Sequence, residues 1–144
     1  MADRIDVDAG NVIFVYMGGD QHVPLHVTHA VMHPSVKIVR DSAFYDCEHL
    51  VSIILHDGIE ILEENAFANC ESLRGIKLLG VRKIEAEAFD SCYALSDVEF
   101  GDEMETIDIN AFEMCRSLRN IKIPSVRTVE EVMIMTVYST FFLG

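Results

Sequence analysis

The segment Leu50-Val-Ser-Ile-Ile-Leu-His-Asp-Gly-Ile-Glu-Ile-Leu-Glu-Glu-Asn-Ala-Phe-Ala-Asn-Cys-Glu-Ser72 decides the fold. Leu50, Ile53 and Leu55 are apolar with Ile54 between the last two, so its opening alternates toward the end like a half-buried strand. His56-Asp57-Gly58 has the composition of a turn, and Ile59 and Leu62 form a second, shorter apolar pair. Phe67, Cys70 and Leu73 then stand three apart, as on one face of a helical turn, with Asn65 placed to cap it. The expectation is one coil: strand, turn, short extended segment, short helical or 3₁₀ turn.

That coil repeats. Ala-Phe recurs at Ala43-Phe44, Ala66-Phe67, Ala88-Phe89 and Ala111-Phe112, at intervals of 23, 22 and 23 residues. Each copy is followed by a cysteine (Cys47, Cys70, Cys92, Cys115) and a leucine (Leu50, Leu73, Leu95, Leu118). Ser42 and Asn110 occupy the cap position of Asn65, and Glu87 departs from it. A fixed period in the low twenties marks a solenoid, in which a coil buries its apolar face only against its neighbours. The one-residue difference between coils falls in the turn after the strand, at Gly58, Gly80, Gly101 and Pro124, where an insertion leaves the core register intact. Upstream, Val27, Ala30, Met32, Val36 and Val39 fill the same apolar slots, so five strands begin at Val27, Leu50, Leu73, Leu95 and Leu118. Asn11–Tyr16 reads as a further strand, followed by the turn Met17–Asp20, covering the open edge of the first coil. The organisation expected is a strand-and-cap segment over 1–26, repeats over 27–129 and a degenerate apolar tail over 130–144.

Composition narrows the function. Half of the 144 residues are apolar and mean hydropathy is positive at +0.23, as expected of a thin stack whose non-turn positions face inward. A net charge of −13 argues against nucleic acid and against anionic membrane surfaces, both of which call for clustered Lys and Arg. No apolar run approaches the roughly 20 residues of a membrane helix. The N-terminus lacks the charged-then-apolar architecture of a secretory signal, which slightly favours the cytoplasm. All four cysteines sit at one repeat position, so they read as a column of buried free thiols in a reducing compartment, with disulfides or a metal as the lesser alternatives.

The pattern Leu-x-x-Ile-x-Leu, turn, Ile-x-x-Ile-x-x-x-Ala-Phe-x-x-Cys-x-x-Leu resembles the BspA-type leucine-rich repeat over residues 27 to 129. The resemblance implies a leucine-rich repeat solenoid, mostly β with short helical or 3₁₀ turns and about five coils. It also implies a non-catalytic module for protein interaction or adhesion, with no cofactor. Four residues after Val129 the Ala-Phe slot holds Met133-Ile134, and Val137 replaces the cysteine, so the last coil departs from the pattern.

Two outward columns of the main strands are candidate binding positions: Val31, Ile54, Lys77, Glu99 and Lys122, and beside them His29, Ser52, Gly75, Asp97 and Asn120. They read either as a cross-strand charge ladder or as a partner-binding face with an apolar Val31/Ile54 end. Ser52, Asp97 and Asn120 are carried in the second reading. The column Lys37, Glu60, Arg82, Glu105 and Arg127 alternates in sign through five coils and reads as a register-fixing ladder. His22, His26, His29 and His33 would converge only on a helix, which Pro24 and the repeat register exclude. In register, His26 lies beside His49 and His33 beside His56; two such pairs, with Asp57 near, form the alternative reading, a weak divalent-metal site. Neither a phosphate-cradling glycine loop nor a cysteine beside a base is present, so no catalytic constellation is expected. The tail from Glu130 is apolar where a polar end cap is expected, which points to a degenerate sixth coil or to self-association.

Overall fold

A computed structural model of the chain describes residues 4–8, 11–108, 110–122 and 128–129. Among them run twelve strands: β1 (Arg4–Asp8), β2 (Asn11–Tyr16), β3 (His29–Met32), β4 (Ile38–Val39), β5 (Ser52–Ile54), β6 (Ile61–Leu62), β7 (Gly75–Leu78), β8 (Lys83–Ile84), β9 (Asp97–Phe100), β10 (Thr106–Ile107), β11 (Asn120–Lys122) and β12 (Thr128–Val129). The odd strands from β3 to β11 form one face and the even strands from β4 to β12 a second, continuous parallel sheet. The alternation read from the sequence holds in register: Ala30 pairs with Ile53 and Ile76 with Val98, all four buried.

At the N-terminal end β2 pairs in parallel with β3, as its place in the sequence suggests, and β1 folds back antiparallel on β2. Tyr16 is fully buried, its ring 5.3 Å from that of Phe44 and its hydroxyl accepting the Arg40 amide. The expected column of phenylalanines forms. Phe44, Phe67, Phe89 and Phe112 are buried, with ring centroids 5.2, 5.2 and 5.0 Å apart along the stack.

The segment after the second sheet corrects the sequence reading. Among the described residues it contains no helix, only chained turns. Ser42 and Asp46, Asn65 and Asn69, Glu87 and Ser91, and Asn110 and Met114 all have φ between 55° and 61°. A left-handed residue every fourth position prevents a helix from propagating, and it excludes Asn65 as an N-cap, whose backbone is extended. Short polar side chains tolerate this conformation; Glu87 and Met114 adopt it without that help. The compensation is backbone pairing between coils. The Ser42, Phe44 and Asp46 amides donate to the Glu64, Ala66 and Ala68 carbonyls, while the Ala43, Tyr45 and Cys47 amides close turns within their own coil. The third side of the stack is thus bridged from coil to coil by backbone hydrogen bonds, as buried backbone requires.

The cysteines complete that side. All four are free and buried. The Sγ of Cys70, Cys92 and Cys115 donates to the carbonyl of Phe44, Phe67 and Phe89 in the preceding coil, at 3.2, 3.1 and 3.1 Å. A small side chain with a weak donor fits there as neither alanine nor leucine would. Burial holds the Cys70 and Cys92 thiols protonated well beyond their ordinary range and pushes Cys47 up to about 12.

The turns after the main strands pack backbone on backbone. A Cβ added at Gly80 would lie 1.8 Å from the Asp57 carbonyl oxygen, and one at Gly101 1.8 Å from that of Leu79. Neither site has a positive φ, so close approach alone demands glycine. Gly101→Ala is expected to lower stability by about 1–3 kcal/mol, because carbonyl and turn must separate. Chemical denaturation checks this, and an unchanged midpoint would show that the turn yields without cost.

The expected apolar tail, 130–144, and with it the degenerate sixth coil and the self-association, lies outside the described residues, as do Pro124, Val126 and Arg127.

Candidate functional site

The strand face carries the columns singled out from the sequence. Ile54, Lys77, Asp97, Glu99 and Asn120 line one open groove of about 850 Å³, whose floor includes Ile53, Ile76 and Val98. Ser52 stands exposed beside it on β5, Val31 pairs with Ile54 across β3 and β5, and Lys122 lies opposite Glu99 in the strand register. Ile54 is 67% exposed, the largest value among the exposed apolar side chains.

The groove crosses a break in the face. Its strands belong to two sheets, β1–β2–β3–β5 and β7–β9–β11, and no ladder joins β5 to β7 among the described residues. An amide contact from Arg74 to the Val51 carbonyl, at 3.5 Å, is what spans them. The second sheet and the turn ladder run through the same two coils unbroken, so the parting is confined to the strand face.

Polar groups within the groove are arranged cross-strand. Asn120 Nδ2 donates to Asp97 Oδ1 at 2.7 Å and the Ser96 hydroxyl to Asp97 Oδ2 at 2.6 Å, and these bonds hold the Asp97 carboxyl below its usual range. Lys77 and Glu99 approach to 3.9 Å, a loose and exposed pair of little weight for stability. The second column closes at Arg82–Glu105, which pairs through both Nε and Nη2, while Lys37 and Glu60 form no ion pair among the described residues.

His33 and His56 are brought together, with their ring nitrogens engaged. His56 Nε2 lies 3.1 Å from the His33 carbonyl, and its Nδ1 accepts the Gly58 amide at 3.0 Å. His33 Nδ1 lies 2.7 Å from the Ser35 hydroxyl and accepts the Ser35 amide at 3.2 Å. Both rings therefore act as turn locks, and His56 has no nitrogen left for a metal in this arrangement. His26 and His49 are exposed. Among the described residues no three His, Cys, Asp or Glu side chains are grouped to hold a metal ion, and no helix is long and apolar enough to cross a membrane.

Three features escaped sequence reasoning. Val15 on β2 pairs with Val31 and extends the apolar end of the face by one strand. Arg119, one residue before β11, lines the groove. Arg74 stands exposed at the equivalent place before β7. The signal for the arginines was available: the position after each repeat leucine reads Thr28, Val51, Arg74, Ser96, Arg119.

Comparison with known proteins agrees with this architecture. A family model described as the BspA type leucine rich repeat region matches residues 25–137 in six copies. No curated protein matches the chain. Among solved structures, a leucine-rich repeat protein from Bacteroides ovatus is 25% identical with a TM-score of 0.67, over 74% of this chain and 30% of that one. The T. pallidum leucine-rich repeat protein is 24% identical with a TM-score of 0.69, over 87% of this chain and 58% of that one. The pneumococcal vaccine antigen PcpA is 18% identical with a TM-score of 0.56, over 92% of this chain and 40% of that one. The chain thus spans less than two thirds of each of these proteins.

Proposed function

The chain belongs to the BspA-type leucine-rich repeat family, and from that premise we propose that it is a non-catalytic protein-interaction or adhesion module that binds a protein partner through its strand face. One observation carries the reading: five of the outward positions expected to bind, Ile54, Lys77, Asp97, Glu99 and Asn120, line a single groove, apolar at Ile54 and charged at Lys77, Asp97 and Glu99. An exposed isoleucine beside a polar, hydrogen-bonded rim has the make-up of an interface centre and its border. The opposite sides of the stack are taken up by the second sheet and by inter-coil backbone bonds. The cysteines are buried, and burial holds the Cys70 and Cys92 thiols protonated, which suits a scaffold better than a catalyst.

The test is affinity capture with the wild-type chain and with a Lys77→Glu/Glu99→Lys/Lys122→Glu variant. These positions lie at the outward column, so the variant is expected to keep its melting temperature within a few degrees and to lose the partner. A partner held equally by both proteins overturns the strand-face reading.

A further inference from the structure

Charge is distributed unevenly around the stack, and the imbalance bears on what the groove takes. From β3 to β11 the outward strand positions include two of the chain's 24 acidic residues, Asp97 and Glu99. Both are engaged, Asp97 by Ser96 and Asn120, and Glu99 by Lys77. The basic groups there are in excess. Arg74 and Arg119 are exposed and form no ion pair among the described residues. Lys77 is held only by the 3.9 Å approach to Glu99, so it is available to a second carboxylate. The acidic side chains gather elsewhere, for instance at Glu63, Glu64, Glu85 and Glu87 after the second-sheet strands.

We propose that the occupant of the groove is an extended peptide segment of a protein partner, aliphatic where it crosses Ile54 and acidic where it crosses Lys77 and Arg119. This rests on the strand-face reading and specifies the partner's chemistry. From β5 to β11 the face spans three strand spacings, about 14 Å, the length of about four extended residues at ~3.3 Å each. Such a segment places an aliphatic side chain on Ile54 and carboxylates within reach of two cations, one of them a guanidinium that accepts a carboxylate through paired donors. The net charge of −13 does not forbid an acidic ligand. At physiological salt the screening length is about 8 Å, so exposed acidic side chains farther than that from the groove act on a ligand there only weakly.

The experiment is selection of a random-peptide display library against the full chain, followed by affinity measurement of the enriched peptides on three variants. Arg119→Glu and Lys37→Glu change the net charge equally, the first in the groove and the second on the other sheet; Ile54→Lys blocks the apolar end. The result expected is enrichment of peptides combining aliphatic with Asp and Glu residues, bound about tenfold or more weakly by Arg119→Glu and equally well by Lys37→Glu. Enriched peptides that are basic or uncharged, yet lost on Ile54→Lys, overturn the acidic occupant and leave the strand-face reading standing. Peptides indifferent to both groove variants, or no enrichment at all, overturn both.

Discussion

Replacing Phe89 by alanine is expected to cost about 3–5 kcal/mol, the range for emptying a fully buried phenylalanine site. Phe89 lies between Phe67 and Phe112, its ring within 9° and 4° of parallel to theirs, and it has no exposed surface. Its Cα trace cannot close over the void, because the backbone on either side is pinned to adjacent coils: the Phe67 amide bonds to Ala88 and the Phe89 amide to Ala111. A solenoid transmits stability only through neighbouring coils, so a central gap uncouples both halves of the stack. The melting temperature should fall by roughly 6–20 °C, at about 2–4 °C per kcal/mol for a domain of this size. Phe89→Leu, which keeps most of the volume, should lose much less. Urea denaturation checks both variants, and equal midpoints for Phe89→Ala and wild type would remove the phenylalanine column from the core.

Much of this architecture was legible because the period reports the core directly. Phe44, Phe67, Phe89 and Phe112, the leucines from Leu50 onward and the four cysteines were each read as columns, and each column is buried. What stayed hidden depends on backbone bonding between coils, which a single coil's composition does not express. Phe67, Cys70 and Leu73 have helical spacing, yet the helix is broken by left-handed residues whose identities range from Asn65 to Glu87 and Met114. At Glu87 and Met114 local preference gives no sign of that conformation, and the bonds that go with it run between coils. The candidate face was read in outline, since outward columns follow from strand alternation. The break that the groove crosses was not, because nothing in Ser52–Ile54 or Gly75–Leu78 distinguishes β5 and β7 as strands that part. Gly80 and Gly101 were read as turn residues; that a neighbouring carbonyl occupies the space of their missing Cβ is a property of the stack.

Alkaline pH should unfold the protein steeply, through the same column of thiols. Burial raises the thiols of Cys70 and Cys92 well above their ordinary range and that of Cys47 to about 12. The folded state therefore keeps protons that the unfolded state releases. This contribution is complete below the unfolded thiol value of about 8.5 and is lost as pH rises above it, continuing to about 12 for Cys47. Each withheld ionisation costs about 1.4 kcal/mol per pH unit, so three together cost about 4 kcal/mol per unit. Against a typical stability of about 5–15 kcal/mol, the fold should fail within a few pH units above 8.5. Tyr16, whose hydroxyl burial also raises, steepens the loss at higher pH. Urea midpoints measured from pH 7 to 11 under reducing conditions give the slope. A Cys70→Ala/Cys92→Ala variant forfeits two donors to the Phe44 and Phe67 carbonyls and should start less stable at pH 7. Between about pH 9 and 10, before Tyr16 contributes, its decline should nevertheless be shallower by about two thirds, because two of the three raised thiols are gone. Parallel declines for variant and wild type would show that the thiol column does not govern the alkaline limit.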